Sequence, residues 1–133
     1  MKHTPLKRKT PLRRSAPGRA SRPRKQSLPK KLRTAVYERA GGLCDCCGEW
    51  MDPETFDVHH RQLRSRGGKH TIENLVALKH EHHMWVHQHP EEATERGLMV
   101  SSYADPATIP VRRFDGNLYL PRWTWDRYEE DDQ

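Results

Sequence analysis

The chain has few apolar residues: they make up 33% of its 133 residues, against 32% that are charged. It contains no apolar run long enough to span a membrane, and its basic N-terminus is not followed by the apolar segment of a secretory signal. We therefore expect a cytoplasmic protein that is neither secreted nor membrane-bound. So little apolar material limits the core to one small domain, and small cores usually need a metal ion or a crosslink.

Cysteine is also scarce, and its number is odd. Two of the three cysteines are spaced as Cys44-x-x-Cys47. In a chain without an export signal, this spacing indicates a metal-binding pair in a reducing compartment rather than a disulfide framework.

Acidic residues are missing from one end of the chain. Residues 1–33 contain thirteen Lys or Arg and no acid, whereas residues 34–133 contain eleven bases and all eighteen acids. The net charge of +6 is therefore the sum of a strongly basic N-terminal arm and a mildly acidic remainder. A basic arm of this kind favours a polyanion such as nucleic acid as the partner. The alternative, a solubilising tail, would carry charges of both signs. Prolines and near-repeats within residues 1–27 predict an arm that is disordered when free and contacts phosphates when bound.

The remaining sequence predicts short, alternating elements. Ser27 is expected to cap a helix that contains Pro29 near its start and ends at Gly41-Gly42. Residues 56–60 and 75–78 are expected to form strands, and residues 80–88 and 91–96 helices. Asp115-Gly116 predicts a two-residue hairpin turn between residues 111–114 and 117–120, and residues 127–133 form an acidic tail.

Histidines carry the main chemical signal. His83 and His87 are four residues apart in a predicted helix, so both imidazoles face one side and can share a cation. His59 is a third nitrogen donor. Three protein ligands leave one coordination position open, as in catalytic metal sites. His60 points to the other side of its strand and remains free to act as a base.

The order of these motifs resembles that of HNH endonucleases, members of the ββα-metal (His-Me finger) nuclease superfamily. The matching residues lie within residues 40–90: Cys44-x-x-Cys47-Gly48, Val58-His59-His60, Gly67-Gly68, Asn74-Leu75 and His83-x-x-x-His87. Residues 97–110 are also similar to the tails of HNH proteins from phages of actinobacteria. The resemblance implies a small α+β domain over residues 28–126, with a motif core at 43–90, a flanking N-terminal helix, a Cys-x-x-Cys zinc knuckle and a C-terminal extension at 97–126 that ends in a hairpin.

The resemblance also implies a role for each matching residue. His59, His83 and His87 would hold one catalytic divalent ion (Mg²⁺, Mn²⁺, Ni²⁺ or Zn²⁺), His60 would be the general base, and Asn74 would orient the loop that carries the base. Four basic residues near that loop would contact DNA phosphates: Arg61, Arg64, Arg66 and Lys69. The expected partner is double-stranded DNA, and a phage origin would add terminase subunits and the bacterial host cytoplasm.

Many relatives hold a structural zinc ion with two Cys-x-x-Cys pairs, and here the second pair is absent. Its positions are occupied by Lys79, which has no lone pair, and His82, which can bind zinc. We expect a structural zinc site of Cys44, Cys47 and His82, with His80 as the fourth ligand. Two alternatives remain: Cys46 as a ligand, or a knuckle without zinc whose cysteines are buried thiols.

These observations predict a metal-dependent endonuclease that nicks or cuts DNA. The competing prediction is a non-catalytic, zinc-stabilised DNA-binding module, in which the histidines only staple the fold. The first prediction requires that the protein cleave DNA and that cleavage depend on His60, whereas the second requires no cleavage.

Overall fold

The computed structural model describes residues 27–129, which form a small α+β protein with two small sheets. Its α-helices are α1 (Lys30–Arg39), α2 (His80–Gln88) and α3 (Pro90–Glu95), and its strands are β1 (Asp57–His60), β2 (Leu75–Leu78), β3 (Val111–Arg112), β4 (Leu118–Pro121) and β5 (Trp125–Arg127). No helix within residues 27–129 is both long and apolar enough to cross a membrane. The predicted arm, apart from Ser27, and the last four residues of the predicted acidic tail lie outside the described residues.

The centre of the molecule is an antiparallel pair of strands followed by a helix. β1 pairs with β2 so that His59 lies opposite Val76 and His60 opposite Leu75. All four residues of β2 are buried, which explains its unbroken apolar sequence. Only Lys79 separates β2 from α2. The end of the sheet and the start of the helix are therefore held close together, and this brings residues distant in sequence to one site.

The predicted helices at 80–88 and 91–96 are confirmed, the latter as α3, whereas the predicted start of the first helix is wrong. α1 begins at Lys30, and its N-cap is Pro29 rather than Ser27. Proline fixes φ near the helical value, here −57°, and its carbonyl accepts the N–H of Leu32. The chain therefore enters the helix without a side-chain cap.

The C-terminal hairpin exists but differs from the prediction in two respects. Its turn contains three residues, 114–116, because Arg113 donates its N–H to the carbonyl of Asn117 and Gly116 occupies a left-handed conformation (φ 82°). This is the usual three-residue hairpin, in which the last loop residue is left-handed. The sheet also has a third strand, β5, that pairs with β4 and includes Arg127. The predicted acidic tail therefore starts inside a strand.

The core is built around β2, whose four residues are all buried. Buried apolar residues come from each helix and from both sheets: Val36, Leu75, Val76, Leu78, Val86, Ala93, Leu98 and Val111. The turn that contains the cysteines docks on this core through Asp45, which is fully buried. The backbone N–H of Asp45 donates to the carbonyl of Ala77, and its carboxylate accepts the N–H of Ala77. Asp45 thus covers the edge of β2 that β1 leaves open.

Candidate metal centres

Three imidazoles converge between β1 and α2. His59, His83 and His87, hereafter the histidine cluster, each offer one ligand atom, and these atoms all lie within 4.8 Å of one another. The Nε2 atoms of His83 and His87 are 3.3 Å apart. Two nitrogens that bind one tetrahedral zinc ion at ordinary bond lengths are separated by about the same distance, roughly 3.3 Å. The predicted ligand set is therefore brought together with spacing suited to a single ion.

The second ring nitrogen is anchored in two of these imidazoles. His59 donates its Nε2–H to the carbonyl of Leu98 at 2.7 Å, and His83 donates its Nδ1–H to Asp57 at 3.0 Å. These bonds leave Nδ1 of His59 and Nε2 of His83 with lone pairs for a metal ion. Histidines that bind metals usually have this arrangement, because a carbonyl or carboxylate fixes the ring and its tautomer.

Burial keeps two imidazoles of the cluster, those of His59 and His87, in the neutral form that binds metal. It lowers the pKa of His59 to about 3, and burial together with the neighbouring His83 lowers the pKa of His87. Although partial burial acts to raise it, the pKa of Asp57 is lowered because His80 and His83 donate hydrogen bonds to its carboxylate. At neutral pH His59 and His87 are thus neutral imidazoles, and an ionised carboxylate lies beside the cluster.

His60 lies next to this cluster in sequence but is not part of it. Its Nε2 atom lies 2.9 Å from Nδ1 of His70, and its side chain is half-buried. Burial, followed by the nearby His70 and Arg64, lowers the pKa of His60 to about 4. The ring is therefore neutral near pH 7, as a proton acceptor must be.

Asn74 is buried and closes the loop that follows His60. Its Oδ1 accepts the N–H of Gln62 at 2.7 Å, and its Nδ2 donates to the carbonyls of Gln62 and Lys69 at 3.1 and 3.0 Å. The side chain thus uses donor and acceptor together to join the two ends of the loop. Asn74 therefore holds together the loop that separates His60 from His70.

The basic residues near the loop divide into two kinds. Arg64, Arg66 and Lys69 are exposed, in agreement with a contact to phosphates. The prediction for Arg61 is wrong, because its side chain has 0% exposure. Its guanidinium donates to four carbonyls, those of Gly97, Glu73, Pro106 and Ile109. Burial lowers its pKa to about 9, so it remains a cation and fastens the segment after α3 to the central sheet.

A second cluster lies on the other side of the start of α2. Cys44, Cys47 and His82, hereafter the knuckle cluster, also have ligand atoms within 4.8 Å of one another. The Cys44 Sγ lies 3.7 Å from Nδ1 of His82, close to the roughly 3.6 Å expected for a thiolate and an imidazole on one tetrahedral zinc ion. Burial raises the pKa of Cys44, and the backbone N–H of Lys79 opposes this by donating to the sulfur.

The expected fourth ligand, His80, does not join the knuckle cluster. His80 is exposed and donates its Nδ1–H to Asp57 at 2.8 Å, so it supports the histidine cluster instead. Cys46, the alternative ligand, is buried against Arg96, whose guanidinium donates to its sulfur. Lys79 forms an ion pair with Glu49. Within residues 27–129, the geometry therefore supplies three ligands for this second ion.

Sequence reasoning missed several residues that support the histidine cluster or contact His60. Asp57 precedes His59 by two residues, so the alternation of a strand could have placed both side chains on one face. The carbonyl of Leu98 gave no signal, since any residue can supply one. His70 gave none either, because a loop residue ten positions from His60 has no fixed direction relative to it.

Comparisons of the chain with models of protein families, with curated proteins and with solved structures give no match.

Proposed function

We propose that this protein is a metal-dependent endonuclease of the HNH type, with the ββα-metal fold, that hydrolyses phosphodiester bonds of DNA. One observation carries the proposal: three imidazoles converge with spacing suited to one ion, and the imidazole adjacent to them in sequence, His60, lies outside the ligand set. A site built only to staple the fold has no need of that extra neutral ring. The order of motifs, which resembles HNH enzymes, supports the same conclusion.

In the proposed reaction, His60 removes a proton from water as the water oxygen attacks phosphorus. The bond from phosphorus to the 3′ oxygen breaks and the leaving oxygen takes a proton from solvent, which leaves a 5′-phosphate and a 3′-hydroxyl. A divalent ion bound by the histidine cluster would supply Lewis acidity, which neutralises charge on the phosphate and on the leaving oxygen. Asn74 holds the loop that carries the base, and exposed Arg64, Arg66 and Lys69 bind phosphates of the DNA backbone.

Several divalent ions suit this function. Three imidazoles favour zinc, nickel or another transition ion, whereas magnesium prefers oxygen ligands. We propose a structural role for a zinc ion at the knuckle cluster, because Cys44 is buried and receives a hydrogen bond from the backbone at the start of α2.

Plasmid cleavage tests the proposal directly. We expect wild type to nick or cut DNA with at least one of Mg²⁺, Mn²⁺, Ni²⁺ or Zn²⁺. Loss of the base in His60→Ala should reduce the rate by about 100- to 10,000-fold, the usual contribution of general base catalysis. DNA affinity and thermal unfolding should be nearly unchanged. A matched control is His89→Asn, since His89 is exposed, stacks on Trp85 and lies outside both clusters.

Two outcomes would contradict the proposal. Wild type that cleaves with none of the four ions would favour the non-catalytic DNA-binding module. Cleavage by His60→Ala at the wild-type rate would remove the assigned base.

The basic arm provides a separate test of DNA as the partner. Deletion of residues 1–27, which removes ten of the 24 Lys and Arg residues, should weaken DNA binding and flatten its dependence on salt. Each phosphate contact that is lost reduces counterion release, so the slope of log K against log salt should fall by about 0.9 per contact. Fluorescence anisotropy at several salt concentrations measures this slope. An unchanged slope would show that the arm does not contact DNA.

A further inference from the structure

The proposed mechanism uses His60 but leaves its partner, His70, without a role. Nε2 of His60 and Nδ1 of His70 are 2.9 Å apart, a normal hydrogen-bond distance, and the ring centroids are 5.0 Å apart. Both side chains are partly buried. The pair is therefore a specific contact between two imidazoles rather than an encounter of two solvent-exposed rings.

The direction of this hydrogen bond decides whether His60 can act as a base. A neutral imidazole carries one proton, so one ring nitrogen donates and the other has the free lone pair. If His70 donates to Nε2 of His60, the proton of His60 resides on Nδ1 and no nitrogen remains to accept one from water. If His60 donates its Nε2–H to His70, its Nδ1 carries a free lone pair. Only the second arrangement gives a competent base.

Hydrogen bonds within the loop that joins His60 to His70 bring the two rings together. Asn74 bonds the backbone of Gln62, two residues after His60, and of Lys69, the residue before His70. Gly68 allows the close approach, since a Cβ at that position would lie 1.8 Å from the carbonyl oxygen of Gln62. The brace by Asn74 thus fixes the backbone on both sides of the pair.

We propose that His70 is a positioning residue for the base: its Nδ1 accepts the Nε2–H of His60, which orients that ring and leaves Nδ1 of His60 free to take the proton from water. The proposal rests on the proposed nuclease function and assigns the reactive atom within it. An orienting partner for a catalytic histidine is a common device, because it selects one tautomer as well as one ring position.

Ring protonation can be observed without measuring activity. Long-range ¹H–¹⁵N NMR spectra of the full chain loaded with zinc, which is diamagnetic, report which nitrogen of each histidine carries the proton. We expect His60 to carry it on Nε2 in wild type and in His70→Asn, whose side-chain oxygen can replace the acceptor Nδ1. His70→Ala should shift His60 toward a mixture of tautomers. A wild-type His60 protonated on Nδ1 would overturn the inference.

Cleavage kinetics provide the second test. His70→Ala should lower kcat by about 10- to 100-fold, a part of the 100- to 10,000-fold that a general base contributes, with KM nearly unchanged. His70→Asn should recover most of this loss, since an acceptor is again present at the same position. Equal losses in both variants would contradict the acceptor role, as would a change confined to KM.

The two experiments separate the failure of this inference from failure of the proposed function. Wild type that cleaves DNA while His60 is protonated on Nδ1 would refute the role of His70 alone. Wild type that does not cleave with any ion would refute the function, and the NMR result would still decide the direction of the hydrogen bond. His89→Asn again serves as the control, with expected wild-type kinetics and an unchanged His60 signal.

Discussion

The histidine cluster contains His83, and the knuckle cluster contains its neighbour in α2, His82. The surroundings of the two clusters nevertheless differ. In the knuckle cluster, buried Cys44 accepts a backbone N–H, and Asp45 beside it is fixed to β2. The histidine cluster extends from buried His59 to exposed His87. Adjacent helix positions point about 100° apart, so one short helix can supply a ligand to a more buried site and another to a site with an exposed edge.

From this difference we infer a structural role for the knuckle cluster and a catalytic role for the histidine cluster. An ion held by a buried thiolate mainly stabilises the fold, whereas an ion at an exposed edge can contact a substrate. Two imidazoles of the histidine cluster are oriented by Asp57 and by the carbonyl of Leu98, and the sequence motifs pointed to neither partner. We therefore expect loss of the knuckle ion to cost stability, and changes around the histidine cluster to cost metal affinity and activity.

The largest effect is expected from Cys44→Ser. Structural zinc contributes about 10–16 kcal/mol in zinc-finger peptides, comparable to the whole stability of a domain of about 5–15 kcal/mol. Loss of this ligand should therefore release one zinc ion and unfold most of the domain, which metal analysis and circular dichroism would show.

Cys46→Ser is the matched control for this experiment. Cys46 is buried and adjacent, but its sulfur lies outside the knuckle cluster and contacts Arg96. The control should retain its zinc and lose only about 1–2 kcal/mol, typical of a buried point mutation. Equal zinc loss in both variants would assign the wrong cysteine as ligand.

A smaller but still large effect is expected from Arg61→Met. Met keeps the aliphatic stem of the side chain, but the change leaves four buried or partly buried carbonyls without their donor and frees the segment that supplies Leu98 to His59. Removal of one partner from such a buried charged network costs about 3–5 kcal/mol in the free energy of unfolding. Urea denaturation measures the loss. Exposed Arg66→Ala, the control, should change stability by less than about 0.5 kcal/mol.

The smallest effect is expected from Asp57→Asn. This variant tests the histidine cluster without changing a ligand of either cluster. The variant removes the negative charge that fixes His83 and His80, so metal affinity of the histidine cluster should fall by about 10- to 100-fold. Excess metal should restore cleavage, and the knuckle ion should stay bound. Exposed Asp52→Asn is the control. Unchanged metal affinity in Asp57→Asn would show that the carboxylate does not support the site.

Much of the local structure could be predicted from the sequence. The apolar run of β2 and the bounds of α2 follow from residues that act on their immediate neighbours, and both are confirmed. The pairing of His83 with His87 follows from helix geometry alone. The predictions for the start of α1 and for the hairpin turn were wrong. Pro29 occupies the N-cap in place of the expected Ser27, and the left-handed Gly116 allows a three-residue turn in place of the expected two-residue turn.

What the sequence could not reveal depends on contacts between distant segments. The sequence shows that several Lys and Arg residues follow His60, but it does not show which of them are exposed. Only tertiary packing decided that Arg61 is buried among carbonyls while Arg66 is exposed. In the same way, His80 turned to Asp57 rather than to the cysteines. The sequence by itself determined which residues can bind metal and which helix presents them, because periodicity is local. Only the tertiary structure decided which carbonyls and carboxylates hold them, because those partners are brought close by folding and not by spacing along the chain.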